Sequence, residues 1–181
     1  MKACAFAGYR HDLFDFPDDD GNTRFQALQK VIRRQIIALF YEGYDFFISG
    51  MSTGAGMWCA EDVLWLQQSF PSLKLICAIP FFGQEVMWRG WYQKEYNHIL
   101  SYSYKQVVIS PSIEASADIN QYYLARNRWM VDHSDRLIAI YSDDTAPARS
   151  GSRMTVQYAR RKGCKIIYIH PITFEVSKSW D

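Results

Sequence analysis

Residues 48–56 read Ile-Ser-Gly-Met-Ser-Thr-Gly-Ala-Gly, between a short apolar run and a helical pattern. Three glycines and three hydroxyl side chains at a strand-to-helix turn let backbone N–H groups approach an anion, and the helix N-terminus adds partial positive charge. The turn matches neither GxGxxG nor GxxxxGK[ST], so the usual dinucleotide and P-loop mechanics do not transfer. Close packing is the alternative reason for any one of these glycines. The candidate ligand contacts in this turn are Ser49, Gly50, Gly54 and Gly56.

The same alternation of apolar runs and helical patterns continues along the whole chain, which is typical of βαβ units on a parallel sheet. The predicted strands are Ala3–Ala7, Phe46–Ser49, Leu73–Ile79, Gln106–Ser110, Leu137–Tyr141 and Lys165–Ile169. The predicted helices run from a cap at Asn22 or Thr23 to Gly43, and then over about Gly56–Ser69, Gln84–Leu100, Asp118–His133 and Ser152–Lys162. We therefore expect an α/β, Rossmann-like three-layer sandwich with a mostly parallel sheet of about six strands, forming one domain over residues 1–181.

Composition excludes several classes of protein. Hydrophobic residues make up 49% and charged residues 22% of the chain, as in packed globular domains. The net charge of +1 argues against a protein held to nucleic acid mainly by phosphate charge, although ten Lys and Arg face six Asp and Glu from Gln121 onward. The four cysteines are scattered without a CxxC pair, and no apolar run could span a membrane. We expect a cytoplasmic protein without a metal site.

Further candidate contacts follow the first and third predicted strands, because ligands of open parallel sheets bind beyond the carboxyl ends of the strands. A glycine that permits a tight turn, an aromatic ring and a guanidinium follow the first strand at Gly8, Tyr9 and Arg10. The alternative is a glycine turn with a surface arginine. Phe81 and Phe82 offer a flat wall for a base or sugar, and Gln84 could read a polar edge. An ordinary hydrophobic cap over the sheet would also explain the two rings.

Arg126 and Asn127 stand on the fourth predicted helix where the apolar stripe calls for apolar residues. A buried guanidinium needs a partner, which a phosphate or carboxylate of a ligand could supply. Asp132 or Asp135 could supply it instead, although a turn or cap is the simpler role for Asp135.

A second anion-ready helix start opens the fifth predicted helix. Hydrogen bonds from its small polar residues and charge from Arg149 or Arg153 suit a phosphate, whereas a serine cap with a solvated arginine is the alternative. Two such sites favour a ligand with phosphates and a sugar between them. The candidates here are Ser150, Gly151, Ser152 and Thr155.

No nucleophile and base pair is visible. The four histidines fall in unrelated contexts, and neither a GxSxG elbow nor an HExxH motif is present. Binding is therefore better supported than catalysis.

Taken in order, five segments resemble the YpsA-like proteins of the SLOG superfamily, which joins the DNA-processing protein DprA (Smf) to the LOG phosphoribohydrolases. They are Ala7–Arg10, Ser49–Gly56 with Trp58, Ala60 and Glu61, Pro80–Phe81 with Gln84 and Trp88, Arg126–Asp132 with Ser134 and Asp135, and Ser150–Thr155. The resemblance covers nearly the whole chain. It implies a Rossmann-like fold whose crevice binds nucleotide-related ligands.

Two departures weaken the catalytic implications of that resemblance. The glycine-rich turn usually ends Gly-x-Asp, whereas Met57 follows Gly56 here. The phosphoribohydrolases carry PGGxGTxxE at the last helix, and this chain has Tyr158 at the glutamate position, while their helix arginine matches Arg126. Without that acid, charge developing on a ribose would lack its carboxylate partner. The remaining candidate acids are Glu61 and Asp135.

The sequence therefore predicts binding of a nucleotide or nucleotide-derived ligand, such as an ADP-ribose-like or NAD-like molecule, by a sensor or regulatory protein. A LOG-like N-glycosidic hydrolase of nucleoside monophosphates, using Arg126 and Glu61, is one alternative. A DprA-like protein that binds single-stranded DNA is the other. Exposed members of the abundant aromatic residues could also form a homodimer interface.

Overall fold

The structure, a computed structural model, describes residues 2–114, 116 and 118–180. Its centre is a seven-stranded sheet in the order β4-β3-β2-β1-β5-β6-β7, in which only the β6–β7 pair is antiparallel. The strands are β1 (Lys2–Gly8), β2 (Tyr44–Ser49), β3 (Lys74–Ile79), β4 (Lys105–Val108), β5 (Arg136–Ile140), β6 (Lys165–Ile169) and β7 (Val176–Lys178). The Rossmann-like α/β fold is confirmed, with one strand more than the sequence predicted.

Five helices cover the two faces of the sheet. They are α1 (Thr23–Tyr41), α2 (Ala55–Gln67), α3 (Gly90–Tyr102), α4 (Ile119–Asp132) and α5 (Gly151–Arg161), with a short 3₁₀ turn at His11–Leu13. Helices α1, α2 and α3 pack on one face, and α4 and α5 pack on the other. Strand order reverses at β1, between β2 and β5, so the fold places its crevice beyond Gly8 and Ile140.

Alternation along β1 shows why the two faces differ. Cys4 and Phe6 point to the core beneath α1 and α2, whereas Ala3, Ala5 and Ala7 point to the core beneath α4 and α5. Small side chains on that second face allow α5 to lie close to the centre of the sheet. Helix starts follow their local signals as well: the Asn22 side chain accepts hydrogen bonds from the backbone N–H groups of Arg24 and Phe25, at 3.0 and 3.1 Å.

Two elements differ from the sequence predictions by more than a shift of one or two residues at their ends. Strand β7 was missed because its three residues are all exposed and therefore carry no apolar run. The third helix begins at Gly90 rather than near Gln84, because residues 83–88 form successive turns in which Gly83 has φ +82°. Among the helices of the described residues, none is both long and apolar enough to cross a membrane.

Candidate functional site

Arg126 is the centre of the candidate site. It lies in the middle of α4 with 4% of its surface exposed, and its guanidinium reaches the turn that follows β2. One Nη donates to the Gly50 carbonyl, the other donates to Ser52 Oγ at 3.2 Å, and Nε donates to Asn127 Oδ1 at 2.8 Å. All three acceptors are electrically neutral.

No carboxylate of the described residues forms an ion pair with this arginine. Asp132 is bound to Lys162 at 2.9 Å, and Asp135 accepts from the backbone N–H of Ala3 at 2.8 Å. The two intramolecular partners that the sequence offered are thus engaged elsewhere. Burial lowers the pKa of Arg126 to about 10, with Tyr123 and Tyr96 opposing the shift, so the guanidinium is still charged at neutral pH.

The turn after β2 is built around this guanidinium. A Cβ on Gly50 would lie 2.6 Å from Arg126 Nη1, so any larger residue at that position would displace the guanidinium. Met51 follows with φ +55°, a left-handed backbone conformation that residues other than glycine and asparagine seldom adopt. The Ser49 hydroxyl fixes the turn, since it accepts from the Met51 N–H at 3.0 Å and donates to the Gly56 carbonyl at 2.7 Å.

The other predicted glycines have different roles. A Cβ on Gly8 would lie 2.5 Å from Ala55 Cβ, so this glycine lets α2 start directly against the end of β1. Gly54 has φ +86°, and a Cβ there would lie 2.3 Å from the backbone nitrogen of His11. Packing therefore accounts for both of them. Gly56 has only ordinary contacts around it, the nearest at 3.6 Å, so packing does not require a glycine there.

Tyr9 and Arg10, which follow β1, separate in the structure. Tyr9 is buried, and its hydroxyl lies 3.1 Å from the Ser142 carbonyl and 2.8 Å from Thr145 Oγ1. It joins the ends of β1 and β5. Arg10 is exposed, and its Nε lies 3.9 Å from a carboxylate oxygen of Asp12.

The segment after β3 places one of its two phenylalanines near the arginine. Phe81 is buried and packs edge-on against Tyr123 with ring centroids 5.5 Å apart, and the Tyr123 ring lies 5.7 Å from the Arg126 guanidinium. Phe82, predicted as part of the same wall, is 68% exposed. Gln84 is buried and donates to the Tyr96 hydroxyl at 3.1 Å, while its Oε1 has no partner among the described residues.

The start of α5 approaches the same arginine through Asn127. A Cβ on Gly151 would lie 3.8 Å from Asn127 Nδ2. Ser150 caps the helix by accepting from the Arg153 N–H at 3.2 Å, and its hydroxyl lies 3.2 Å from that of Ser152. Thr155 donates to the Gly151 carbonyl at 2.7 Å. The structure thus forms a continuous path from α5 through Asn127 and Arg126 to the Gly50 turn.

The two candidate acids lie elsewhere. Asp135 precedes β5, so it stands at the amino end of a strand, on the edge opposite the crevice. Glu61 lies beside Glu95 of α3; partial burial raises the pKa of both carboxyl groups, and the neighbouring Glu61 raises that of Glu95 further. Neither acid is among the hydrogen-bond partners of Arg126.

Several site neighbours were not identified from the sequence. Ser52 binds Arg126, and Thr53 Oγ1 lies 3.0 Å from His11 Nδ1; both belong to the quoted glycine-rich turn, so that turn was the available signal. Tyr92 packs on the His11 ring and donates to Asp18 at 3.1 Å. These contacts join the acidic segment of residues 11–21 to the mouth of the crevice. No local sequence pattern predicts them.

Two cavities lie in the described residues, and Arg126 lines neither of them. One, of about 750 Å³, lies beyond β5 and β6 and is lined by Asp143, Arg160 and His170 among others. The other, of about 130 Å³, lies between α4 and α5 and includes two predicted residues, Asn127 and Thr155. Within the described part of the chain, no three His, Cys, Asp or Glu side chains form a group that could hold a metal ion.

Comparison with known families fits these observations. Residues 4–174 match the model of the YpsA family, described as the YspA SLOG family. The chain belongs to the YpsA family. A UPF0398 protein of Halalkalibacterium halodurans is 29% identical over 146 residues, which cover 80% of this chain and 74% of the relative. A UPF0398 protein of Bacillus thuringiensis is 27% identical over 165 residues, which cover 90% of this chain and 85% of the relative.

Among solved structures, DNA processing protein A from Helicobacter pylori resembles this YpsA-family chain with a TM-score of 0.56. The match has 17% sequence identity and covers 97% of this chain and 68% of the other. That structure is described for its mode of binding single-stranded DNA. At this identity the likeness shows the fold, and the resemblance to SLOG proteins seen in the sequence is confirmed.

Proposed function

We propose that this protein binds a nucleotide or a nucleotide-derived ligand, whose anionic group is accepted by Arg126, and that it acts as a sensor or regulator. The observation that carries the proposal is a buried guanidinium whose hydrogen-bond acceptors, among residues 2–114, 116 and 118–180, are all neutral. Burying a charge without an opposite charge is costly, and an anion that reaches it recovers part of that cost. Phosphate or carboxylate can meet both arms of the guanidinium at once.

The surroundings of Arg126 support a nucleotide over other anions. The start of α5 approaches through Asn127 and could add backbone N–H donors to a phosphate. Phe81 and Tyr123 stand beside the arginine as surfaces against which a base or sugar could pack. Because Arg126 is 4% exposed, the ligand would replace the Gly50 carbonyl or the Ser52 hydroxyl as its acceptor, which requires the turn to move. The left-handed Met51 is the strained residue of that turn.

The hydrolase alternative lacks a suitably placed acid. The phosphoribohydrolase glutamate corresponds to Tyr158, whose hydroxyl donates to Asp132. Glu61 is paired with Glu95 and Asp135 lies at the far edge of the sheet. We therefore favour binding without N-glycosidic hydrolysis.

Binding of single-stranded DNA is the second candidate. It is motivated by the H. pylori protein, which shares the fold and is described as binding single-stranded DNA. The excess of Lys and Arg after Gln121 is compatible with it. Such binding should weaken steeply as salt rises, whereas nucleotide binding within a buried site should depend less on salt.

The test is thermal stability with AMP, ADP, NAD, ADP-ribose and a short single-stranded oligonucleotide. A ligand at about 100 times its Kd adds roughly 2.7 kcal/mol, which is about 5 to 10 degrees of Tm for a chain of this size. We expect one nucleotide class to give this shift in the native protein and in the exposed-site control Arg34→Met, but not in Arg126→Met. An equal shift in Arg126→Met, or no shift with any nucleotide, would overturn the proposal. Release of free base from AMP would favour the hydrolase.

A further inference from the structure

The groove of about 130 Å³ between α4 and α5 has the features of a separate anion site. Its walls carry Arg128 and Arg161, the polar side chains of Asn127 and Gln157, and the apolar Leu124 and Met154. This volume is several times what one water molecule requires, so a tetrahedral oxyanion would fit.

The two arginines of the groove have no intramolecular counter-charge. Both are exposed, and neither forms an ion pair within the described part of the chain. No acidic residue lines the groove. The nearby Asp132 is already held by Lys162 at 2.9 Å and by the Tyr158 hydroxyl at 3.0 Å. Two positive charges therefore face the same small volume unopposed.

Two further contacts favour a formed site over a pair of free surface side chains. The Arg128 guanidinium lies 5.8 Å from the centroid of the Tyr158 ring, which restrains it. The Oδ1 of Asn127 accepts a hydrogen bond from Arg126, whereas its Nδ2 donates no hydrogen bond among the described residues. The site would thus supply two guanidinium groups and an amide N–H.

The larger cavity beyond β5 and β6 lacks this surplus of positive charge. Its Arg160 is bound to Asp143 at 2.7 Å, and Asp144 and Glu175 add two more carboxylates. An oxyanion would meet net negative charge there, so the α4–α5 groove is the better anion site.

We propose that the α4–α5 groove binds a phosphate group through Arg128, Arg161 and Asn127. Arg126 is two positions from Arg128, about 200 degrees around the helix, so the groove and the buried arginine lie on different sides of α4. The groove can therefore bind whether or not the crevice accepts a nucleotide. Its phosphate would come either from a small phosphate ester or from the backbone of a single-stranded nucleic acid.

The first experiment is a titration with inorganic phosphate, followed through the backbone amide signals of residues 124–128 and 154–161 by NMR. We expect saturable shifts, and an affinity at least tenfold weaker in the double variant Arg128→Gln/Arg161→Gln. The matched control Lys30→Gln/Arg34→Gln removes two exposed charges from α1, on the opposite face, and should bind phosphate like the native protein. Shifts that do not saturate, or an equal loss in both double variants, would overturn the proposal.

Two further arms identify the source and separate this site from the crevice. If the phosphate belongs to a nucleic acid strand, the slope of log affinity against log salt for a short single-stranded oligonucleotide should fall by about 1.4 in the groove double variant, corresponding to two lost contacts. If the salt slope for the oligonucleotide is the same in the groove double variant as in the native protein, while the native protein binds inorganic phosphate, the groove is assigned to small phosphate esters. Arg126→Met releases the Asn127 side chain, which accepts from Arg126, but leaves Arg128 and Arg161 in place. The phosphate-induced shifts of residues 154–161 should therefore persist in this variant, and their loss would contradict a separate site.

Discussion

Two arginines, the half-buried Arg33 and the buried Arg126, reach into the fold and meet different partners. Arg33 of α1 meets Asp62 of α2, with Nε and Oδ1 2.6 Å apart and the carboxylate fully buried. Arg126 of α4 is more deeply buried than Arg33, yet its acceptors are a carbonyl, a hydroxyl and an amide oxygen. The first arginine has a carboxylate as its partner within the fold, whereas the hydrogen-bond acceptors of the second are all neutral.

The two environments predict different consequences when each arginine is replaced. A buried ion pair that is already complete gains little from a ligand, and breaking it mainly costs stability. A buried guanidinium without an anion already costs stability in the free protein, and binding recovers part of that cost. Removal of Arg33 should therefore destabilise the fold, whereas removal of Arg126 should abolish binding.

The largest expected change in stability follows replacement of Arg33, the arginine that is paired with a carboxylate. Arg33→Met retains packing over the Trp65 ring, which lies 4.1 Å from the guanidinium, but leaves the Asp62 carboxylate alone in the core. We expect a loss of roughly 2–3 kcal/mol in the free energy of unfolding, limited because Asp62 can take up a proton. Chemical denaturation at two pH values checks this. The loss should be smaller at acidic pH, and the exposed neighbour Arg34→Met should cost little; equal losses in the two variants would refute the distinction.

The next effect tests the close fit of the glycine turn around Arg126. Gly50→Ala places a methyl group 2.6 Å from the guanidinium and should cost about 1–3 kcal/mol, whereas Gly56→Ala meets only ordinary contacts and should stay within about 0.5 kcal/mol. In an Arg126→Met background most of the Gly50→Ala cost should disappear, because the clash is with the guanidinium. A double-mutant cycle with a coupling below about 0.3 kcal/mol would contradict this contact.

A smaller change in stability is expected when Arg126 alone is replaced. Arg126→Met gives up hydrogen bonds to neutral acceptors but also removes an uncompensated buried charge, so the two effects largely offset each other. We expect the free energy of unfolding to change by about 1 kcal/mol or less, with nucleotide binding lost. Urea unfolding of the variant beside Arg33→Met makes the comparison direct. A larger loss than in Arg33→Met would assign Arg126 a structural role.

The last effect is on the pH dependence of stability, and it arises from carboxyl groups of α2 and α3. Burial raises the pKa of Glu61, burial together with the neighbouring Glu61 raises the pKa of Glu95, and burial raises the pKa of Asp62 to about 7 despite Arg33. The folded protein therefore holds protons that the unfolded chain releases. This contribution is complete below about pH 4 and is lost as pH rises through the folded-state values.

Tm should consequently fall between about pH 5 and pH 9 as these carboxyl groups ionise. Glu95→Gln should flatten the decline, because a neutral amide replaces one member of the carboxyl pair. The exposed Glu114→Gln is the matched control and should follow the native curve. If native protein and Glu95→Gln decline in parallel, the pair does not share a proton.

Much of the fold could be predicted from local pattern. Six strands were found because central strands covered on both faces need continuous apolar runs, and Asn22 marked the start of α1 through its cap. Val176–Lys178 escaped because an exposed edge strand needs no such run. The start of α3 was misplaced because Gln84 is held by Tyr96, a contact that helical periodicity does not reveal.

The features of the candidate site likewise fall into those that depend on local sequence and those that depend on tertiary contacts. Sequence alone determined the strand-to-helix turns, the family and the presence of a polar Arg126 on an apolar stripe, since each depends on residues close together in the chain. Only the tertiary structure decided which arginine has a partner. Arg33 and Asp62 are 29 positions apart, and Arg126 and Gly50 are 76 apart, so their meeting depends on how helices and strands are brought together. Desolvation and pairing of charge are properties of that three-dimensional environment, and they distinguish an arginine paired with a carboxylate from one whose acceptors are all neutral.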